Sequence, residues 1–337
     1  HNFGPKSLYL VATFPAAAVL FPSLNGYFEE QPLSQENVVQ ARRRYWEQGE
    51  ACGLCILMLL GTLVMIACSL VSRDPFVNCV ASIVVAIVML VSFSVVLSPV
   101  IAKANAFALI QTALGFSTSG ASFYFYTDTA KEYPEGPHFS DFFYNSVLGV
   151  TGSVISLIGI LCYQRYMTTW KYRSLLIITN VALALLSSLD IMMFARLNVR
   201  LGIPDHLLIL GLSVFEGLIA QWQWMPQVVI LSYLCPRGME ATMYALLAGC
   251  HNMGNTIAAN CGALLLAKLG CRPSGAEGES DQFANLWIAS TISTILPLAA
   301  VVLLIRLMPD ARQNQRLVSD DQADATAGSL WRQWRDR

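Results

Sequence analysis

Long apolar runs separated by short polar connections make up most of this chain. Residues 76–97, 142–163 and 284–305 each carry no charged side chain. At about 1.5 Å of rise per residue, a helix of that length crosses a hydrocarbon core of roughly 30 Å. Runs of similar character occupy 7–28, 51–72, 104–127 and 174–189. Two more, 206–234 and 241–267, hold one ionisable group each away from their ends, Glu216 and His251. The runs are continuous, whereas the strands of a membrane barrel alternate over about ten residues. The pattern predicts an all-α, polytopic membrane helix bundle of about nine spans.

Within that pattern the less apolar spans are the informative ones. Residues 104–127 collect Gln111, Thr112, Gly115, Ser117, Thr118, Ser119 and Gly120 before the aromatic run 123–126. Small and hydroxyl residues let helices approach closely, so this span belongs against other helices, lining a cavity or simply packing. In span 206–234, Glu216, Gln223 and Gln227 are spaced by seven and four, on one helix face. Trp222 and Trp224 flank that face, and Pro226 is expected to interrupt the helix just beyond. In span 241–267, Tyr244, His251, Asn255 and Gly262 share another face. A carboxylate at bilayer depth is costly, so it faces protein or water and marks function more often than packing; a lone imidazole in a helix is more often a packing residue, and the polar neighbours of His251 bring the two readings level. Asp190 falls near the end of span 174–189, with Arg196 and Arg200 beyond it, and Lys103 and Asp128 bracket span 104–127.

Composition agrees with a lipid-embedded chain: 55% of the 337 residues are hydrophobic and 13% charged, against about a quarter charged in soluble domains. A net charge of −1 argues against a nucleic-acid binder held by phosphate attraction. Six of the nine cysteines lie inside spans, where they read as small apolar packing residues. Cys52 and Cys55 form a CxxC without a second pair or a nearby His, so no metal and no cofactor are expected. Signatures of hydrolases, metallopeptidases and nucleotide-driven pumps are missing, and no catalytic residues are assigned. If spans alternate, eleven Lys and Arg, among them Arg42, Arg43, Arg44, Arg165, Lys171, Arg173 and Arg306, fall on one side against seven on the other. That bias puts the 29–50 connection and the C-terminal tail in the cytoplasm. The polar tail after Pro309 reads as mobile. The chain opens His-Asn-Phe-Gly-Pro without Met or a signal-peptide pattern, which reads as an excerpt of a longer protein.

Several strings then resemble one family. CPRGMEATMYALLAGCHNMGNT at 235–256, FYFYTD at 123–128, YPEGPHFSDFFYNSVLG at 133–149, RLNVRLGIPDH at 196–206 and NLWIASTIST at 285–294 are similar to strings of the folate–biopterin transporters, in the branch found in kinetoplastid protozoa. The resemblance implies a major-facilitator-type carrier with two six-helix halves, alternating access, proton coupling and a place in the plasma membrane. It divides the chain into the last helix of the N-terminal half (1–28), a cytoplasmic linker (29–50), two inserted helices (51–98), the C-terminal six-helix half (99–308) and a cytoplasmic tail (309–337). Most of the N-terminal half is then absent.

A folate or biopterin substrate suits the available chemistry. Trp222, Trp224, Tyr124 or Tyr126 offers a ring for stacking on a pteridine. Glu216, Gln223, Gln227 and Asn255 offer donors and acceptors for its amino-pyrimidine edge. Lys103 or Arg196 offers a cation for the carboxylates of folate. Glu216, Asp128, His251 and Asp190 are the candidates for carrying the coupled proton. Glu240 reads as a gate or helix-start residue. Two other readings stay open: a different major-facilitator carrier, such as one for nucleosides, and a membrane relative that binds without transporting.

Overall fold

A computed structural model describes residues 13–27, 34–235, 240–315, 325–335 and 337. Lys6, Pro32, Arg237 and Arg316, and the side chains of Arg44 and Glu240, lie outside the described residues. The chain forms two units, residues 1–47 and 48–337. The first holds a short apolar helix, α1 (Thr13–Leu24), and the polar helix α2 (Gln35–Glu47). In α2 the Arg43 guanidinium bonds Glu47 one turn on, at 2.8 Å.

The second unit is a bundle of long helices: α3 (Gly49–Val71), α4 (Pro75–Val96), α5 (Pro99–Leu114), α6 (Ser119–Thr127), α7 (Leu148–Tyr166, entered through a π-helical turn, Phe142–Val147), α8 (Tyr172–Phe194), the single turn α9 (Leu197–Arg200), α10 (Asp205–Leu234), α11 (Glu240–Leu269) and α12 (Leu286–Leu304). A short α13 (Leu330–Arg335) closes the chain. Among the described residues seven segments are long and apolar enough to span a membrane. α11 is as long as α10 but more polar, and α1 is a shorter apolar helix, so seven such segments stand against the about nine spans expected. Exposed apolar side chains cover the outside, with Leu70 at 81%, Leu185 at 67% and Leu303 at 77% exposure. Such a surface is untenable in water and ordinary in lipid. The protein is a multi-pass membrane protein.

Local chemistry starts the helices where polar connections end. Asp74 caps α4 by accepting the Phe76 amide at 3.0 Å, with Pro75 in the first turn, where its missing N–H is harmless. Pro99 begins α5 in the same way. Two cores result. One joins α3, α4, α5 and α11 through Met89, Phe93, Phe107, Met243 and Leu246; the other gathers Phe125, Phe139, Met193, Phe283 and Leu286. In the second, Phe125 meets Phe194 edge-on at 5.0 Å.

Two expectations about helix continuity are corrected. Span 104–127 is a broken helix: α5 stops at Leu114 and α6 starts at Ser119. Gly115 tolerates the turn, and neighbouring helices satisfy the freed backbone. Ser117 N donates to Ala258 O at 3.1 Å, and Phe116 O accepts the Ser293 hydroxyl at 2.5 Å. Conversely, α10 runs unbroken through Pro226. Proline removes one helical hydrogen bond, and long packed helices absorb that loss without ending. The tail also differs from its polar composition. Tyr172 N donates to Ala311 O at 3.1 Å, the Gln313 side chain bonds Tyr163 and Met167, and Ser98 N donates to Ala325 O at 2.8 Å. These described pieces of the tail are thus bound to the end of the bundle where α4, α7 and α12 finish.

Candidate functional site

The site is built where the broken helix meets α8, α10, α11 and α12. A cavity of about 490 Å³ is lined by Gln111 and Thr112 of α5, Asn180 and Ser187 of α8, Glu216, Gln223 and Gln227 of α10, His251 and Asn255 of α11, and Ser293, Thr294 and Pro297 of α12. A second cavity of about 720 Å³ shares Ser187, Glu216, Ser293 and Thr294 with it. It continues past the break (Ser117, Thr118, Ser119) to Tyr126, Tyr144, Asn145 and Asp190. The two cavities thus adjoin, with Glu216 lining both. Volumes of this size hold drug-sized organic molecules.

Carboxamides dominate the first cavity, and they are tied to one another across helices. Asn180 Oδ1 accepts two bonds, from Gln111 Nε2 and from Gln223 Nε2, both at 2.8 Å. Its own Nδ2 donates to Leu176 O, one turn back, at 2.7 Å. Gln227 Nε2 reaches the Gln223 carbonyl at 3.3 Å. Opposite, His251 Nδ1 shares a hydrogen with Thr112 Oγ1 at 3.2 Å, and its ring lies 4.5 Å from that of Trp224. Unsatisfied amides in hydrocarbon are expensive, so this mutual pairing is what allows three helices, α5, α8 and α10, to place them inside the bundle. In the second cavity Tyr126 donates its hydroxyl to Asp190 at 3.4 Å.

The structure brings Glu216, Gln223, Gln227, His251 and Asn255 to one cavity, and Tyr126 and Asp190 to the adjoining one. The other candidates lie elsewhere. Trp222 turns outward from the amides and donates its indole N–H to Gly159 O of α7 at 3.0 Å. Arg196, in the left-handed backbone region at φ 53°, is locked in a bidentate pair with Asp205 at 2.9 and 3.0 Å. Lys103 is exposed near the start of α5, and Tyr124 lies beside Gly275 of the α11–α12 connection. Asp128 sits in the α6–α7 connection, buried, with Oδ2 unpartnered among the described residues. Burial pushes its carboxyl up to about 6; the Glu132 and Glu279 carboxylates push the same way, and His138 opposes them. Asn180 is the residue that reading the sequence missed. Its signal was a single carboxamide inside the apolar run 174–189, without a polar stripe to draw attention to it.

Comparison with known proteins places this architecture. Residues 8–327 match the BT1 family. The chain is 30% identical over 223 residues to "Probable folate-biopterin transporter 6" of Arabidopsis thaliana, covering 66% of this chain and 42% of that protein. It is 34% identical over 188 residues to "Folate-biopterin transporter" of Synechocystis sp., with 56% and 36% covered. "Folate transporter 1" of Plasmodium falciparum is 27% identical over 168 residues, with 49% and 31% covered. The chain spans about two fifths of the length of the first of these relatives. No solved structure matches it.

Proposed function

Because the chain belongs to the BT1 family, we propose that it supplies the substrate cavity of a membrane carrier for folate or biopterin-type pteridines. The carrying observation is the pair of adjoining polar cavities, in which amides and two carboxylates, Glu216 and Asp190, converge inside a lipid-facing bundle. A pteridine is flat, aromatic and rich in hydrogen-bonding edges. Gln223, Gln227, Asn255 and Glu216 would engage its polar edge, with Tyr126 offering a ring beside the adjoining cavity. The relatives named as folate or folate-biopterin transporters support this substrate class.

Proton coupling and alternating access belong to the same proposal. Glu216 stands at the junction of the two cavities, and Asp190 with His251 stands at either side of it. A carboxylate that gains or loses a proton there changes the charge met by a substrate in both cavities. The broken helix supplies a second element for such a cycle, since discontinuous helices line the sites of many carriers. We further propose a two-half, major-facilitator-type carrier in the plasma membrane. Residues 1–28 would then be the last helix of the first half, 29–50 a cytoplasmic linker, 51–98 an inserted pair, 99–308 the second half and 309–337 a cytoplasmic tail.

The test is uptake of labelled folate and labelled biopterin by cells that lack their own carrier and express the complete protein. Accumulation competed by unlabelled pteridines and not by nucleosides is the expected result. Competition by nucleosides alone would point to a different cargo, and binding without accumulation to a relative that does not transport.

A further inference from the structure

The formal charges lining the two adjoining cavities are of one sign. Asp190 of α8 and Glu216 of α10 both line the larger cavity, and Glu216 lines the smaller as well. Tyr126 donates to Asp190 at 3.4 Å, a neutral partner that leaves the carboxylate charge uncompensated. Glu216 is exposed and has no hydrogen bond or ion pair among the described residues. Among those residues no lysine or arginine lines either cavity; His251 is the one basic side chain, and its Nδ1 is engaged with Thr112. Arg196 and Arg200 line another cavity, of about 590 Å³, together with Tyr133, Phe283 and Trp287. Arg196 is tied to Asp205 there, and Phe194 borders both this cavity and the larger polar one.

We propose that Asp190 and Glu216 form a charge filter, which makes this site selective for uncharged pteridines and turns away conjugates that carry carboxylates, folate among them. The inference rests on the pteridine reading above and deepens it by dividing that substrate class. Biopterin and folate share a pteridine head that is uncharged at neutral pH, and the glutamate tail of folate adds two negative charges. Two like charges about 10 Å apart, a separation of the order such a cavity allows, cost roughly tenfold in affinity at an effective dielectric constant of about 20. The repulsion depends on distance and not on the direction in which either carboxylate points, unlike a hydrogen bond. A lining cation would offset the tail, and none of the described lining residues other than His251 can supply one. Discrimination of this kind comes from penalising the wrong ligand, with no added contact to the right one.

The experiment measures equilibrium binding of folate and of folate diamide to the complete protein in lipid nanodiscs, at about pH 7.5, where the folate carboxylates are ionised. The diamide keeps the ring, the spacer and the length of folate and removes both charges. The ratio of diamide to folate affinity therefore reads charge apart from size, and uptake of biopterin in cells is measured beside it. The wild-type protein is expected to bind the diamide about tenfold or more tightly than folate. Asp190→Asn keeps an acceptor for Tyr126 and removes one charge, and Glu216→Gln removes the other. Each is expected to lower the ratio by about threefold or more, and the double variant to bring it within about twofold of unity. Each ratio is taken within one variant, so a general loss of affinity leaves it unchanged. A ratio that stays at the wild-type value in both variants overturns the filter. A folate tail that reached past Phe194 to Arg200 would give the opposite order, with folate preferred and Arg200→Ala abolishing the preference; that result overturns it too. If neither acidic variant reaches the membrane, the wild-type ratio decides. A wild-type protein that takes up biopterin yet binds folate and its diamide equally sinks the filter alone. One that neither binds nor takes up any pteridine removes the transport reading as well.

Discussion

Gly262 of α11 lies so close to Ser117 that a Cβ built on it would stand 2.0 Å from the Ser117 carbonyl oxygen. The break between α5 and α6 is therefore held against a specific point of α11, where Ser117 N also donates to Ala258 O at 3.1 Å. No side chain can be added at 262 without moving the backbone of the break. Gly262→Ala is expected to destabilise the protein by about 1–3 kcal/mol and to depress uptake strongly. Gly211, with nothing within 4 Å of its Cβ position, is the matched control, and Gly211→Ala leaves stability unchanged or raised. Thermal melting of the two variants in nanodiscs decides; equal melting temperatures would mean that the close approach is not essential.

Arg196 and Asp205 form a two-bond ion pair that is mostly shielded, at 21% and 15% side-chain exposure, with Asn198 adding a third bond to Asp205 at 2.6 Å. Arg196→Lys keeps the charge and cannot reproduce the planar two-bond geometry. A loss on the order of 2 kcal/mol in stability is expected, with the preference between folate and biopterin unchanged. A shift in that preference with stability intact would instead place the guanidinium on a folate carboxylate.

Asp128 gives a stability that depends on pH. Its carboxyl is raised to about 6 in the fold, so the native protein holds this proton between about 4 and 6 while the unfolded chain has released it. The contribution is therefore present at low pH and is lost as pH rises through about 6. The wild-type protein should melt higher at pH 5 than at pH 7.5, and Asp128→Asn, a neutral isostere, should flatten that difference. A pH 5 to 7.5 difference of equal size in both proteins would take Asp128 out of the account.

Glu216 lines both cavities, and it is the one ionisable group among the residues they share. Glu216→Gln keeps the shape and removes the ionisable proton. Uptake is expected to fall at least about tenfold with surface expression intact, and to lose its dependence on external pH. Wild-type uptake by this variant at every pH tested would exclude Glu216 from coupling.

Much of the fold was legible without coordinates. Lipid solvates apolar side chains and nothing else well, so each run such as 76–97 or 284–305 must become a self-bonded helix wherever it packs. The polar face of α10 followed from spacing alone, since residues 216, 223 and 227 share a face of any helix that contains them. Family strings suggested, by resemblance, the class of cargo that is proposed. Position along a helix, however, says nothing about a neighbouring helix. Gln111 and Asn180 are 69 residues apart, and Asn180 and Gln223 are 43 apart. Their meeting depends on how three helices rotate and slide against each other, which is decided by packing over their whole length.

The same distinction explains the two corrected helices. Pro226 carries the strongest local signal for a break, yet α10 continues through it. The actual break, after Leu114, follows residues that are individually compatible with a helix; it forms because α11 and α12 offer Ala258 O and Ser293 Oγ to the freed backbone. Hydropathy determines which segments enter the bilayer, because transfer free energy adds up residue by residue along the chain. Where a helix breaks, and which polar side chains share a cavity, are decided by hydrogen bonds between helices, which exist only once the bundle has assembled.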